Sequence, residues 1–422
     1  MTTPMATDAG TNWAGNLRYR AAEFHSPESM DELRRLVASA SRVRTLGTRH
    51  SFNTIADTEH TLVSVARLGG EPQIDEDTRT VTVGAGMRYG ELAQYLEHAG
   101  YALSNLASLP HISVGGAIAT GTHGSGNRTG SLAAAVTAIE LVTAEGDLVS
   151  LERGHPDFAG AVVSLGALGV VTRVTLEIEP TYLVEQSVYL QLPWSSLTEN
   201  LDRITGTAYS VSLFSSWRDP AIVDQVWLKR RPDQDGTVPG ELFGAVAAMR
   251  EYDPLGGTSP VNCTPQLAVP GPWLDRLPHF RLEFTPSSGI ELQSEHLVPR
   301  HHAVAALGAI RSLSHRISPL LLVNEIRTVA ADDLWLSSSY GTDVVGIHFT
   351  WLQRQAEVEE LLPVIEAALA PFDARPHWGK LFGGADFRRL YPRLDDFRSL
   401  ASRYDPQGAF RNDFLERHIF AR

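Results

Sequence analysis

Lysine and cysteine are almost missing from this chain. Cys263 is the single cysteine among 422 residues, so no internal disulfide can form and nothing supports a cysteine-based zinc site. That usage fits a reducing compartment, and the cytoplasm is the expected location. The first residues, Met1 to Asn12, lack the basic and apolar stretches of a signal peptide. No apolar run reaches the length of a membrane span. Positive charge is also short: 36 Lys and Arg against 49 Asp and Glu leave a formal net charge of -13. This argues against nucleic acid or an acidic membrane surface as a partner. The basic residues are almost all arginine, with lysine only at Lys229 and Lys380. The remaining composition, 43% hydrophobic and 20% charged, is that of a globular chain long enough for two or three domains and a sizeable core.

Ser29-Met-Asp-Glu32 has the pattern of a helix-capping box, and Leu33, Leu36 and Val37 continue it as an amphipathic helix. Strands are predicted at Thr61 to Val65, Thr78 to Val83, Ala138 to Val149 (turning at Glu145-Gly-Asp147) and Val170 to Ile178, with a helix at Glu91 to Ala99. Beyond a boundary near Pro180, alternating segments at Tyr209 to Phe214, His279 to Phe284, Leu320 to Val329 and Val344 to Trp351 predict an antiparallel sheet. Helices at His302 to Ile317 and Ala356 to Ala370 would pack on one of its faces. The tail from His377 is expected to return to the first part of the chain. The fold class is therefore α+β, with a large antiparallel sheet flanked by helices.

Several stretches are candidates for chemistry. In Arg42 to Asn53 a short buried strand around Val43 and Leu46 runs into a polar loop at Gly47, with His50 at its tip. A strand that delivers one histidine on a tight loop can present a nucleophile or a ligand, although a surface histidine is the plainer reading of the motif alone. Gly84-Ala-Gly86-Met-Arg-Tyr-Gly90 imitates a dinucleotide fingerprint, but its third glycine is one residue late and no ribose-binding carboxylate follows, so a Rossmann site is rejected and turn glycines are expected. From His98 to Ile139 there is no acidic residue. Ser108 to Gly126, inside that stretch, alternates glycine and hydroxyl residues with small apolar ones, which suits either a structural loop or backbone N–H groups drawn close to an anion. Glu325 and Arg327 share one strand face, as do His348 and Thr350, and charged groups that close to apolar neighbours need partners. They read either as a structural ion pair or as a pocket for a polar substrate. His377-Trp-Gly-Lys380 adds one of the two lysines. The histidines His111, His123, His348 and His377 have no recognised metal-ligand spacing, so no metal is expected.

Together with Phe284-Thr-Pro-Ser-Ser-Gly289 and Glu291-Leu-Gln-Ser-Glu295, these motifs resemble the alditol oxidases of the vanillyl-alcohol oxidase superfamily over nearly the whole chain. The resemblance implies a two-part FAD-binding domain (residues 1–180 and 377–422) around a cap domain for substrate (181–376). It implies FAD carried covalently by His50. Arg49 stands where relatives carry a second glycine. Thr45, Leu46, Gly47, Thr48, Arg49, Ser51, Ala107, Ser108, Ser113, Gly116, Ala117, Ile118, Ala119, Thr120, Gly121, Thr122, His123 and Val170 would contact the cofactor. Ser108, Glu325, Arg327, Thr350 and Lys380 would bind substrate, with His348, Arg327 and Lys380 catalytic. The implied reaction oxidises the terminal alcohol of a polyol such as xylitol or sorbitol, with oxygen as acceptor and hydrogen peroxide as product, in a monomer. A gulonolactone-type aldonolactone oxidase is the alternative within the superfamily. A non-catalytic flavin-binding or scaffold protein, or a hydrolase using the histidines, would be the outside alternatives.

Overall fold

Three short parallel strands, Glu23–His25, Thr61–Val63 and Val43–Thr45, form a small sheet with Thr61–Val63 in its centre. Val43 and Leu62 are fully buried, and Leu46 N–H continues the pairing onto the Val63 carbonyl at 2.7 Å. The chain is thus held rigidly up to Gly47, where the histidine loop begins. Arg44, in the same strand, is also buried. It donates to the carbonyls of Ile55, Leu165, Gly166 and Phe410, and burial without a carboxylate partner pushes it down to about 10. One side chain therefore ties the base of the loop to a distant turn and to the C-terminal tail. The computed structural model describes residues 9–236, 240–255, 259–284 and 290–421.

A five-stranded antiparallel sheet follows, in the order Gln73–Asp75, Thr80–Gly84, Val170–Glu177, Val136–Val142, Leu148–Glu152. Val81, Val83, Val174 and Ile139 alternate into its core, as a period of two requires. The predicted helix at Ser29 runs over Met30–Ser39, capped by the Ser29 hydroxyl on Glu32 N–H. Glu32 in turn accepts from Glu28 N–H rather than from the cap residue. Side chains of the tail (Trp378, Phe387, Phe397, Phe410, Phe414) join the same core as Leu33, Val81 and Val174, so the tail packs on the first part of the chain.

The largest sheet among the described residues has ten strands. Its central order is Leu183–Pro193, Ile222–Arg230, Ser210–Ser215, Leu321–Val329, Val344–Leu352, Glu291–Pro299, all antiparallel neighbours. Helices Trp194–Thr205, Ala303–Ser312 and Gln355–Leu369 supply Leu197, Leu307 and Leu362 to the core on one face. The expected His279 to Phe284 strand does not form: only Phe280 makes a bridge, to Cys263. There the chain is a covering loop over the polar face of the sheet, where its side chains meet other side chains. Leu183–Pro193, Ile222–Arg230 and Glu291–Pro299 escaped the sequence reading because polar residues face the interior on them and blur the alternation. The His302 to Ile317 helix is two helices, Ala303–Ser312 and Ser314–Ile317. Of the Gly84 motif, only Gly86 lies in a turn; a Cβ there would sit 2.6 Å from Ala66 Cα, so the glycine is required by close backbone packing. Among the described residues no helix is long and apolar enough to cross a membrane.

Candidate active site

The histidine loop and the polar face of the large sheet open into one cavity of about 300 Å3. His50 is half-buried there rather than exposed at a tip. Its ring stacks on Trp13, centroids 5.4 Å apart and planes 21° off parallel. Its Nδ1 lies 3.1 Å from the Thr48 hydroxyl, which also accepts from Ser113 N–H at 3.0 Å. Burial, then His111, lowers His50 to about 4, so its ring is neutral with a lone pair available near pH 7. Arg49, beside it, adopts φ 66°, the left-handed region that glycine enters without strain. The loop is tied to the tail by Asn53, which donates to the carbonyls of Trp378 and Lys380 at 2.9 and 2.7 Å. Phe52 N–H donates to the Gly379 carbonyl at 2.8 Å.

Across the sheet, Glu295, His348 and Glu325 stand directly opposite one another on three adjacent strands. Glu295 is 1% exposed and is the centre of the charge pattern. Its Oε2 accepts from Lys380 Nζ at 2.7 Å, and its Oε1 accepts from Arg327 Nη2 at 2.7 Å. His123 Nε2 is 3.2 Å from the same Oε1. Burial opposes the Glu295 charge, but Lys380, Arg327 and His123 outweigh it and hold the carboxyl well below its ordinary range. Gly346, opposite Arg327, makes room for this reach: a Cβ there would lie 3.0 Å from Glu295 Oε1. Glu325 is likewise held low against burial, by Arg327 and then His279. Two carboxylates thus face two cations, Arg327 and Lys380, in an enclosed space.

His348 has an assigned proton. Gln293 Nε2 donates to Glu291 at 2.9 Å, which turns the amide oxygen toward His348 Nε2 at 3.1 Å. An oxygen acceptor there requires Nε2–H, so the Nδ1 lone pair faces the cavity. Burial, then Lys380, lowers this histidine well below its ordinary value, so the ring is neutral and able to take a proton. Nδ1 has no hydrogen-bond partner among the described residues, and neither has Arg327 Nε. The two atoms lie 3.7 and 3.6 Å from the same oxygen, Glu325 Oε2. Ser108 Oγ is 3.4 Å from Arg327 Nη1.

Residues 21–152 match the family model described as an FAD binding domain. Residues 291–418 match the model described as D-arabinono-1,4-lactone oxidase. An alditol oxidase from a Streptomyces species is 49% identical over 415 residues, which cover 96% of this chain and 98% of that protein. The chain belongs to the alditol oxidase family. An L-gulono-1,4-lactone dehydrogenase of Mycobacterium tuberculosis is 30% identical, with 96% and 98% of the two chains covered. The fold is that of the crystal structure of cholesterol oxidase from B. sterolicum, at a TM-score of 0.78, 16% identity and coverage of 99% and 97%.

FAD is the cofactor that membership in this family implies, and the cavity suits it. Gly47, Thr48, Ser113, Gly116, Thr120 and Thr122 line it, and the acidic lining residues among those described, Glu291, Glu295 and Glu325, belong to strands of the large sheet. A diphosphate beside the first six would meet small side chains and hydroxyls. Gly47 and the 113–116 segment touch: a Cβ on Gly47 would sit 2.6 Å from Ser113 Oγ. Thr45, Leu46, Arg49, Ser51, Ala107, Ser108, Ala117, Ala119 and His123 line the same cavity, as do Glu325, Arg327, His348, Thr350 and Lys380. Three expected cofactor contacts do not. Ile118 is buried in the hydrophobic core. Gly121 forms a left-handed turn at φ 65°. Val170 packs in the five-stranded sheet while its neighbours Gly169 and Val171 reach the wall. Residues 285–289 of the Phe284 motif lie outside the described residues. The sequence reading missed Trp13, His279, Gln293 and the central role of Glu295. Only the alternation of Glu291, Gln293 and Glu295 at a period of two could have signalled part of it.

Proposed function

We propose that the protein oxidises the terminal primary alcohol of alditols such as xylitol and sorbitol to the aldose, with oxygen reduced to hydrogen peroxide. The observation that supports this most strongly is the pair of unpartnered buried atoms beside Glu325 Oε2: a donor, Arg327 Nε–H, and an acceptor, His348 Nδ1. A hydroxyl group accepts and donates at once, so an alcohol satisfies both. His348 Nδ1 takes the hydroxyl proton, and Arg327 stabilises the negative charge that develops on the oxygen as the proton leaves. Glu325, Thr350 and Ser108 orient the other hydroxyls of the chain, each of which can both donate and accept. Lys380, fixed by Glu295, keeps a second positive charge at the same wall. Bound FAD would supply the hydride acceptor for the alcohol carbon, with oxygen as the final oxidant. Residues 45–51 and the Ser108 to His123 segment would hold it, with His50 as the covalent attachment point. In this reading residues 1–180 and 377–422 serve the cofactor and 181–376 the substrate, in a cytoplasmic monomer.

One observation favours a second reading. The 291–418 match to a D-arabinono-1,4-lactone oxidase model covers all three strands that carry Glu295, Glu325, Arg327, His348 and Thr350. Steady-state oxidation of xylitol, sorbitol and L-gulono-1,4-lactone, followed by peroxide release, separates the two. A higher kcat/KM on the lactone than on either alditol would overturn the alditol proposal.

A further inference from the structure

Both lysines of this chain serve carboxylates of the same pocket. Lys380 reaches Glu295 directly, at 2.7 Å. Lys229 reaches Glu325 through one intermediate, His279. Lys229 leaves the Ile222–Arg230 strand and is 1% exposed. Its Nζ donates to the Leu277 carbonyl, to the Pro278 carbonyl at 3.0 Å and to His279 Nδ1 at 3.0 Å. These are three acceptors for the three protons of an ammonium group. Because Nδ1 accepts, neutral His279 must carry its proton on Nε2, which lies 2.7 Å from Glu325 Oε1. The ring cannot turn away easily: it meets Phe214 and Trp227 edge-on, with centroids 5.4 and 5.5 Å distant. His279 is the only hydrogen-bond donor to Glu325 among the described residues, since Arg327 Nε stands off at 3.6 Å.

Packing alone does not account for this lysine. Burying an ammonium group is costly, and an apolar side chain of similar length would fill the space without that cost. We propose that Lys229 is a positioning residue of the active site: its ammonium group fixes His279 as an Nε2–H donor, and that donor holds the Glu325 carboxylate ionised and oriented toward the substrate. This rests on the alditol reading of Glu325.

The arrangement has a pH limit. Burial, with Glu325 and Cys263 opposing and Arg327 adding to it, lowers Lys229 to about 7. Burial, then Lys229, lowers His279 to about 4. Its register partners on the two flanking strands, Gln186 and Ser210, are uncharged. Asp253 stands behind Cys263, with Sγ 3.7 Å from its carboxylate. Once Lys229 loses its proton, His279 can move its own proton to Nδ1 and turn a lone pair toward Glu325, which removes the donor. Polyol kcat/KM should therefore fall on the alkaline side in the parent.

The test is a double-mutant cycle on the flavin-loaded enzyme with xylitol, combining Lys229→Met and Glu325→Gln, with flavin absorbance and melting temperature recorded for each variant. Lys229→Met should lower kcat/KM about ten- to hundredfold, the size of one hydrogen bond to a charged group, and should abolish the alkaline limb. In the Glu325→Gln background the same change should cost less than about twofold, because it acts through Glu325. Equal losses in both backgrounds would make Lys229 merely structural and overturn the proposal. Full activity of Lys229→Met alongside a damaged Glu325→Gln would overturn it while leaving the alditol reading intact. Full activity of Glu325→Gln would remove both. If Lys229→Met fails to fold, His279→Leu replaces it in the cycle with the same expected outcomes, and His279→Gln, which keeps an amide donor, should restore part of the loss.

Discussion

Glu295→Gln changes one atom of the site and upsets its whole charge pattern. The carboxylate accepts Lys380 Nζ on one oxygen and Arg327 Nη2 on the other, both at 2.7 Å. An amide has only one acceptor oxygen, so either orientation turns an NH2 group toward one of the two cations. It also leaves two positive charges facing Glu325 alone. Removing one partner of a buried ion pair costs about 3–5 kcal/mol. With an unfolding entropy of about 2.1 cal/mol/K per residue, spread over 422 residues, the melting temperature should drop by roughly 3–6 °C. The pH dependence follows from the shifts. The folded-state pKa of Glu295 is depressed, so its contribution is present above the unfolded value of about 4.5 and is lost as pH falls through the folded value. The gap between parent and variant should therefore be full near neutrality and close toward acid. It should also narrow toward alkaline pH, because Lys380 is already lowered by burial, loses the upward pull of Glu295 and sheds its proton sooner. Arg327 loses its fixed partner as well, so xylitol kcat/KM should fall about 10²–10³. Melting curves from pH 3 to 9 beside steady-state kinetics provide the assay. A variant that melts with the parent throughout that range and keeps its kcat/KM would refute the idea that Glu295 organises the two cations.

Acid should destabilise the protein well before its carboxylates titrate. His50 and His279 are each lowered to about 4, and His348 and His377 are also lowered, burial being the first cause in all four. Between an unfolded value of about 6.5 and the folded values the unfolded chain binds more protons, so stability is lost as pH falls through that window; a melting temperature that is flat from pH 7 to 5 would contradict this. Gln293→Leu removes the acceptor that keeps the His348 proton on Nε2, and xylitol kcat/KM should fall about ten- to hundredfold. Gln293→Glu, which retains an acceptor, should lose less, and equal losses in the two variants would refute the tautomer argument. His50→Ala should bind FAD through the remaining cavity yet lose its covalent attachment, so fluorescence that still migrates with the denatured variant on a gel would rule out His50 as the attachment point.

Local rules determined a good part of this protein from its sequence. Gly47 after a buried apolar pair announced a loop that presents His50, and the acid-free run from His98 to Ile139 contains a glycine and hydroxyl segment that lines the cavity. A period of two put Glu325 with Arg327, and His348 with Thr350, on common strand faces. These are properties of a few consecutive residues, fixed by backbone geometry. Which strands are neighbours is not such a property. Tertiary structure alone placed Glu325 opposite His348 and His348 opposite Glu295, and so made one charge cluster out of three separate segments. It also gave Gly346 its meaning as the gap through which Arg327 meets Glu295, and tied Asn53 to the carbonyls of Trp378 and Lys380, 325 and 327 positions away. The Glu291–Pro299 strand was hidden because its polar residues face an enclosed pocket, where partners from distant segments compensate their charge and hydrogen bonds. Sequence pattern records burial of apolar groups; it does not record which remote partner makes burial of a polar one tolerable.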